Sequence, residues 1–453
     1  MAQEIKPDVT DKKQSLIILP SEKGKDASSI QYQLVEIVSA EATQLGRYEV
    51  FNRQDLKKIF EEQALFQAGI INDSSIISFG QIAGAKEAML VKLIQFDQRG
   101  IVPVKKKETN FFDVVVAILK ASSKKEDGQP HANNIQTVLS FSVKTIDVET
   151  GQTLDSHYIS AEYTGGGRGK SLKMVLLQAQ RKLSIKLRQM YKLTSQVLEV
   201  NRKDVMLVLG NEIGVRKGTI FEISSLDEMK KFGNHEIAVP GRSVALVRVQ
   251  EISGDANRSQ IVRRWGKINE GYRATEKTHF IPAFYMTGSY GLDQKDFNFS
   301  GGVNFDPFNK TNFKLGFHLG SALDNRNNYD FFIGVPFGVT VNLIHTPAFS
   351  LGGTLNLNAS AVFRQDDDNH SVSAFYGGAK VGAETNFMTG SHKDWILGME
   401  YTFTSITGGW GYREGGGNKV EYKSAIWKNK FGPSPTLRPS GLYITLGIRY
   451  LTF

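Results

Sequence analysis

The stretch Phe349-Ser-Leu-Gly-Gly-Thr-Leu-Asn-Leu-Asn-Ala-Ser-Ala-Val-Phe-Arg364 decides how the last third of the chain folds. Phe349, Leu351, Gly353, Leu355, Leu357, Ala359, Ala361 and Phe363 share one face, and Ser350, Gly352, Thr354, Asn356, Asn358, Ser360 and Arg364 share the other. A period of two over that length is a long, two-faced β-strand. The rhythm recurs on both sides. Phe313, Leu315, Phe317 and Leu319 oppose Lys314, Gly316, His318 and Gly320, and Trp395, Leu397, Met399, Tyr401 and Phe403 oppose Gly398, Glu400, Thr402 and Thr404. Strands are predicted near 280–291, 296–305, 312–321, 329–344, 349–364, 370–387, 395–407 and 441–453. An even number of strands suits a single-chain outer-membrane barrel. A soluble lipocalin-like barrel shares the period but needs Lys and Glu outside. Here the polar face is Gly, Ser, Asn and Thr, suited to a narrow lumen, and the apolar face is uncharged.

This parity assigns residues to lipid and to lumen. Phe349, Phe363, Phe375, Phe387, Trp395 and Phe403 are expected toward lipid, placed as interfacial girdles would be. Lys314, His318, Arg364, Lys380, Glu384, Glu400 and Arg449 are expected inside. Enclosed charges must pair, since unpaired burial costs several kcal/mol. A plugged interior follows, because eight strands leave little room beyond their own side chains. Links near 307–311, 345–348 and 389–394 are read as periplasmic turns, and the long loop 408–440, with Trp410 and Trp427, as an external contact surface. Phe453 resembles the C-terminal signal read by the barrel-assembly machinery. Leu451 and Phe453 sit on the opposite parity to Leu442, Ile444, Leu446, Ile448 and Tyr450, so a bulge near Tyr450 is expected.

The bulk numbers fit a chain of several parts. At 453 residues, about three units of roughly 150 residues are anticipated. No apolar run approaches the roughly 20 residues of a membrane-spanning helix. The net charge of +9 is concentrated before about residue 276. That favours a solvated basic surface meeting anionic polymer or headgroups over nucleic acid, since neither a recognition helix nor an aromatic RNA-binding signature is present. Cysteine is absent, which removes disulfides, thiolate metal sites and a lipid-modified cysteine. Ala2-Gln3 resembles the junction left by signal-peptide cleavage.

Upstream, residues 1–13 read as a polar leader. Ser15 to Pro20 reads as a buried strand, and Ile30, Leu34, Ile37, Val38 and Leu45 mark a helix. A strand at Tyr48 to Phe51, helices at 54–67 and 74–83 and a strand at Ala88 to Phe96 complete an α/β pattern. The run Tyr48-Glu-Val-Phe-Asn-Arg53-Gln-Asp-Leu56-Lys-Lys-Ile-Phe-Glu-Glu-Gln63, then Gly80-Gln-Ile-Ala-Gly84-Ala85, and Val143-Lys-Thr-Ile-Asp147-Val-Glu-Thr150-Gly151-Gln-Thr-Leu-Asp-Ser156 with its tight turn, resembles the periplasmic domain of the CsgG-like family, the curli secretion channel and its relatives. The resemblance covers 14–192 and implies an oligomeric envelope component. In that family long amphipathic hairpins build a shared pore. Here an insertion at 99–134 stands in their place, and its one strand-like run, Phe111 to Leu119, carries Asp113 among apolar neighbours. A soluble hairpin is favoured over a pore hairpin.

Thr164-Gly-Gly-Gly-Arg-Gly169-Lys170-Ser171 imitates a nucleotide phosphate loop, but its first required glycine is Thr164 and no well-placed magnesium carboxylate follows. The expectation is a glycine turn feeding a helix from Ser171 to Tyr191, capped by Ser171, with Met174, Leu177, Ala179, Leu183 and Leu187 buried. Across 196–274, short strands at 205–209, 218–223, 243–252 and 259–262 between glycine turns suggest a five- or six-stranded SH3- or OB-like barrel. Val208-Leu-Gly210, Gly214-Val-Arg-Lys-Gly-Thr-Ile-Phe221 and Val244 to Val249 resemble the C-terminal domain of the flagellar assembly protein FlgT.

No histidine pair has ligand spacing, Asp366-Asp-Asp368-Asn-His370 lacks the alternation of a calcium loop, and no nucleophile elbow or carboxylate pair stands out. No catalytic residue, cofactor or metal is therefore expected. The anticipated architecture is multi-domain: an α/β domain at 14–192, a small β-barrel at 196–274 and an eight-stranded transmembrane barrel at 278–453. The function expected is a non-enzymatic, outer-membrane-anchored periplasmic scaffold or adaptor in a ring-like secretion or motility assembly of a diderm bacterium. Its expected partners are membrane lipid, further copies of itself or other envelope-machine proteins. A shared secretion channel and a peptidoglycan-binding protein are the alternatives.

Overall fold

The computed structural model describes residues 4–5, 9–10, 12–21, 28–51, 84–102, 133–233, 235–278, 282–293, 295–414, 421–427, 434–437 and 441–452. After a two-residue strand β1 (Glu4–Ile5) come β2 (Gln14–Pro20), α1 (Ser28–Leu45), β3 (Tyr48–Val50), β4 (Glu87–Gly100), β5 (Ile135–Asp147), β6 (Thr153–Thr164) and α2 (Arg168–Met190). They form one five-stranded sheet in the order β3-β2-β4-β5-β6, with β2 parallel to both its neighbours. Parallel strands are covered on both faces. Accordingly Leu16 and Ile18 join α1 and α2 in one core with Leu34, Val38, Phe141, Leu183 and Leu187, while Ile17 and Leu19 belong to a second cluster with Leu90 and Ile146. The Thr150-Gly151 pair makes the β5–β6 turn, with Gly151 at φ 72° and the Thr150 backbone N–H donating to Asp147 Oδ1 over 2.7 Å.

Helix α2 differs from expectation at its start. It begins at Arg168 with Gly167 as cap residue, and Ser171 lies within the first turn. The Ser171 hydroxyl shares a 2.6 Å hydrogen bond with Thr137 and donates to the Ile135 carbonyl at 3.1 Å. Anchoring to β5 has replaced capping. The buried row is Ser171, Val175, Ala179, Leu183 and Leu187, a strict four-residue stripe starting from that anchor. Leu177 is consequently turned out to solvent. The ladder between β4 and β5 continues to Gly100 opposite Ile135, with the Ile101 N–H donating to Asn134 O at 2.9 Å. The predicted insertion thus leaves from the end of a long hairpin. The helices expected at 54–67 and 74–83, and the strand-like run at 111–119, lie outside the described residues.

Six strands then close into a small barrel, ordered β12-β13-β8-β7-β14-β9. They are β7 (Thr194–Val200), β8 (Asp204–Leu207), β9 (Ile220–Ser224), β12 (Ser243–Ile252), β13 (Asn257–Arg264) and β14 (Arg273–Lys277). Alternate residues Val205, Leu207, Phe221, Ile223, Val247 and Val249 fill its core. Between β9 and β12 an unforeseen hairpin, β10 (Asp227–Phe232) and β11 (His235–Val239), pairs with β1.

The remaining strands are β15 (Ala283–Gly291), β16 (Phe297–Phe305), β17 (Thr311–Leu323), β18 (Tyr329–His345), β19 (Phe349–Gln365), β20 (Ser371–Met388), β21 (Lys393–Thr407), β22 (Gly411–Glu414), β23 (Glu421–Ser424) and β24 (Gly441–Leu451). Eight of them close into an antiparallel barrel: β15 to β21 in sequence order, then β24, which pairs with β15. The small β22–β23 hairpin hangs from β20. The long alternating stretch is β19, whose ladders to β18 and β20 run nearly its whole length. No helix among the described residues is long and apolar enough to cross a membrane.

The bulge expected near Tyr450 is absent. The β15–β24 ladder runs unbroken from Gly291↔Tyr443 to Ala283↔Leu451. Leu451 instead faces inward and packs with Leu246, Val262, Ala283 and Phe308. The small barrel lies beneath this rim and supplies apolar neighbours, so the strand keeps its parity at no cost. Phe453 lies outside the described residues.

Candidate functional site

The chemistry of this chain is concentrated inside the eight-stranded barrel and at its two ends. Period-two alternation turns the short polar residues of every strand inward, and the charges follow them. Lys314 on β17 and Glu384 on β20 are both buried and joined by a direct ion pair. Asn386 donates to the second Glu384 oxygen at 3.1 Å. Asn356 and, at 3.5 Å, Thr354 donate to Glu400. Lys380 lies diagonally across the ladder from Glu400, its ammonium 4.4 Å from the centre of the Tyr443 ring. The Tyr443 hydroxyl donates to Asp296 at 2.8 Å. His318 shares a 2.6 Å hydrogen bond with Ser300 and stacks on Phe332. These charged side chains are paired across the lumen, while several buried amide and hydroxyl atoms beside them, among them those of Asn304, Asn312 and Ser360, have no hydrogen-bond partner among the described residues. Each oxygen of Glu384 thus accepts one bond, from Lys314 and from Asn386, which offsets part of the cost of enclosing the charge.

At one end the links 306–310, 345–348 and 389–392 meet the small barrel. Arg263 of β13 is 3% exposed and Asp394 of β21 is 1% exposed. Arg263 donates to Asp394 Oδ1 at 2.7 Å and to the carbonyls of Gly390 at 2.7 Å, Ser391 at 2.5 Å and Lys393 at 3.0 Å. Arg449 donates to the other Asp394 oxygen through Nε at 2.9 Å and Nη2 at 2.6 Å. Burial pulls the Arg263 guanidinium below its ordinary range and the Asp394 carboxylate opposes this; an arginine remains charged regardless. Arg248 donates to Asp306 at 3.1 Å, Asn309 at 2.5 Å and the Phe308 carbonyl at 3.2 Å. His345 donates to the Val262 carbonyl at 3.1 Å.

At the other end Arg364 donates to Asp324 at 2.7 Å and Asp330 at 3.1 Å. Its guanidinium also lies 5.7 Å from the Trp410 ring centre and 5.5 Å from that of Trp427. The loop expected to offer Trp410 and Trp427 as a contact surface thus buries the first of them and half-buries the second. Trp410 is 5% exposed, meets Trp427 edge-on, donates its indole N–H to Pro435 O at 2.7 Å, and packs with Phe332, Val362, Tyr376 and Leu437. An indole that finds a cation, a carbonyl and an apolar wall turns inward and covers the barrel mouth.

Of the seven residues assigned inward, the structure brings together Lys314 with Glu384 and sets Lys380 near Glu400. It places His318 against Ser300 and Phe332, Arg364 at the mouth and Arg449 at the base. Of the six rings assigned outward, Phe349, Phe363, Phe387, Trp395 and Phe403 are exposed on the outer wall, and Phe375 is half-buried there. Asp394, Arg263 and Arg248 were missed. Asp394 shares parity with Glu400 and lies two positions beyond Gly398 on that face, past Ile396, so extending the face to the strand's start finds it. The two arginines give no signal in sequence, because their partners lie on another barrel. A second such clamp joins the first sheet to the small barrel. Arg47, 2% exposed, donates to Glu276 at 2.6 Å and to the Tyr191 carbonyl at 2.8 Å. Among the described residues no group of acidic or histidine side chains could hold a metal ion.

One family model matches part of the chain. It is that of the curli production assembly/transport component CsgG, and it spans residues 27–162. None of the curated proteins compared matches. Among solved structures, the lipoprotein GNA1162 from Neisseria meningitidis is 11% identical, with 37% of this chain and 97% of that one covered at a TM-score of 0.24. The N-terminal β-barrel domain of Pseudomonas aeruginosa OprF is 10% identical, with 38% and 98% covered at 0.24. The PelC dodecamer from Paraburkholderia phytofirmans is 10% identical, with 41% and 94% covered at 0.20.

Proposed function

We propose that this chain is a non-enzymatic scaffold anchored in the outer membrane of a diderm bacterium. The eight-stranded barrel lies in lipid, and the first sheet and the small barrel stand on the periplasmic side as a docking platform in a secretion or motility assembly. One observation carries the reading: the eight-stranded barrel is filled inside and covered at both ends, by the small barrel at Arg263–Asp394–Arg449 and by Trp410 at the mouth. Such a barrel holds something in place and conducts nothing. Its outer wall supports immersion in lipid, because Phe317, Phe337, Leu355, Leu357, Met399 and Leu446 are exposed together, a contiguous apolar belt far beyond what a soluble surface carries. The match to the CsgG model supports an envelope role and assembly into a ring of like subunits. The small barrel, closed by six strands, serves as the FlgT-like spacer between platform and anchor.

A shared secretion channel is the second reading, favoured by the match to that family and by the long β4–β5 hairpin, from whose end the 103–132 segment leaves. Negative-stain class averages of detergent-extracted protein, together with conductance of single inserted barrels, test both. Closed rings with peripheral barrels and no porin-like conductance are expected. Porin-like conductance from single barrels overturns the anchor, and single particles of one-subunit size overturn the ring. A ring whose central wall crosses the bilayer transfers the assignment to the channel. Binding to purified peptidoglycan would be assigned to the exposed cations Lys170, Lys173 and Arg181 of α2, whose whole length lacks an acidic side chain.

A further inference from the structure

On the outer wall of the eight-stranded barrel, at the end that meets the small barrel, aromatic and cationic side chains converge. Trp395 on β21 and Tyr450 on β24 are 50% and 53% exposed. Lys393 lies on the same face of β21, directly across the ladder from Tyr450, with its ammonium 5.1 Å from the Trp395 ring centre. The His392 ring stacks on Tyr450 at 5.8 Å, and Phe284 flanks Tyr450 on its other side. The row Phe349↔Phe387↔Trp395 continues the aromatic band across three strands. Lys393 therefore stands one residue pair nearer the rim than this band.

Among the described residues the charge of Lys393 is left uncompensated. Its neighbour Asp394 points through the wall to the other face, where both carboxylate oxygens are taken by Arg263 and Arg449. Among the described residues no carboxylate forms an ion pair with Lys393. An indole attracts an ammonium but does not neutralise it, so all three donors of the ammonium remain directed at the surroundings. A cation just beyond a band of Trp, Tyr and Phe stands at the depth where headgroup phosphates lie. We infer that Lys393, Trp395, Tyr450 and His392 form a site for the phosphodiester of an anionic glycerophospholipid, with its acyl chains lying along Phe284, Phe387 and Trp395. This rests on the membrane-barrel reading and adds to it a fixed lipid at the rim that faces the periplasmic platform.

Native mass spectrometry of the detergent-solubilised full chain tests the site. Dioleoylphosphatidylglycerol, dioleoylphosphatidylcholine or inorganic phosphate is added to wild type, Lys393→Gln, Trp395→Leu and Lys310→Gln, each first checked by circular dichroism. Phosphatidylglycerol is expected to be retained over phosphatidylcholine. Lys393→Gln is expected to cut that retention about fivefold, the usual effect of one cation at an anionic surface, and Trp395→Leu to reduce it as well. Lys310→Gln, an exposed cation at the same end but outside the cluster, leaves it unchanged. Equal retention of the two lipids, or no loss in Lys393→Gln, overturns the site, and displacement of the lipid by inorganic phosphate makes it a free-phosphate site instead. Failure of the membrane reading looks different: the protein would be folded and monodisperse without detergent.

Discussion

Replacing Asp394 with asparagine keeps the shape of the side chain and removes the one negative charge between two buried guanidinium groups. Arg263 and Arg449 are 3% and 6% exposed, so neither can recover water without moving. Three N–H groups reach this carboxylate at 2.6 to 2.9 Å. Hydrogen bonds to charged groups contribute about 1.5–3 kcal/mol each, but three bonds on one carboxylate share partners and do not add. The range for breaking a buried pair, about 3–5 kcal/mol, bounds the loss. A value of about 4 kcal/mol corresponds to about a thousandfold in equilibrium. Because Arg263 belongs to one barrel and Arg449 to the other, much of that loss should appear as undocking of the two barrels, with each retaining its fold.

Spin labels can read this directly, since the chain contains no cysteine to interfere. Asp255→Cys on the small barrel and Asn328→Cys at the far rim of the large one are both exposed. One narrow distance distribution is expected with Asp394 present, and a broad one in Asp394→Asn at unchanged circular dichroism. The apolar triple Arg263→Met, Asp394→Leu, Arg449→Met should recover most of the narrow distribution, because replacing an entire buried ionic cluster by hydrophobic groups is often near neutral. An unchanged narrow distribution in Asp394→Asn would refute the idea that this cluster holds the barrels together.

Two further outcomes follow from the same reasoning. Arg47→Met leaves Glu276 buried without its cation and should destabilise the junction of the first sheet with the small barrel by about 3–5 kcal/mol, seen as a lower urea midpoint, while Arg47→Met combined with Glu276→Leu should regain much of it. At the β5–β6 turn, the Thr150 backbone N–H and then its hydroxyl donate to Asp147 and hold that carboxyl below its usual range. A depressed acid adds stability that is complete above its unfolded value and is lost as pH falls through the folded one. Thr150→Val should therefore raise the Asp147 titration toward the ordinary range by carbon NMR and shrink the loss of stability on acidification; an unmoved titration would show that the backbone N–H alone sets it.

Strand parity was legible because it is a local property. Eight strands, their spans to within a few residues, and the inward set from Lys314 to Arg449 all follow from a period of two. What the alternation could not carry was the identity of each partner. Lys314 meets Glu384 because β17 and β20 curve toward each other across a closed lumen, and closure is a property of the whole sheet. Trp410 was misplaced for a related reason. A loop tryptophan looks exposed in sequence, and only the location of Arg364, Val362 and Tyr376 at the mouth turns it inward. The start of α2 failed differently: Ser171 has the chemistry of a cap, but Thr137 on a neighbouring strand competed for its hydroxyl and won.

The missing bulge at Tyr450 exposes the assumption that separated these outcomes. The bulge was required only if every apolar residue of the last strand had to face lipid. Leu451 finds Leu246, Val262 and Phe308 under the rim instead, so an inward apolar residue near a barrel end can mark the place where a second body is packed. Arg263 and Arg248 sit around that same apolar patch, each satisfied by a turn of the large barrel. Apolar contact at the centre with desolvated arginine bonds around it is how a permanent interface is built. A barrel joined to its neighbour in this way transmits orientation: whichever way it sits in its surroundings, the small barrel is held in one direction relative to it. For the docking platform proposed above, that rigidity is the property a flexible tether would lack.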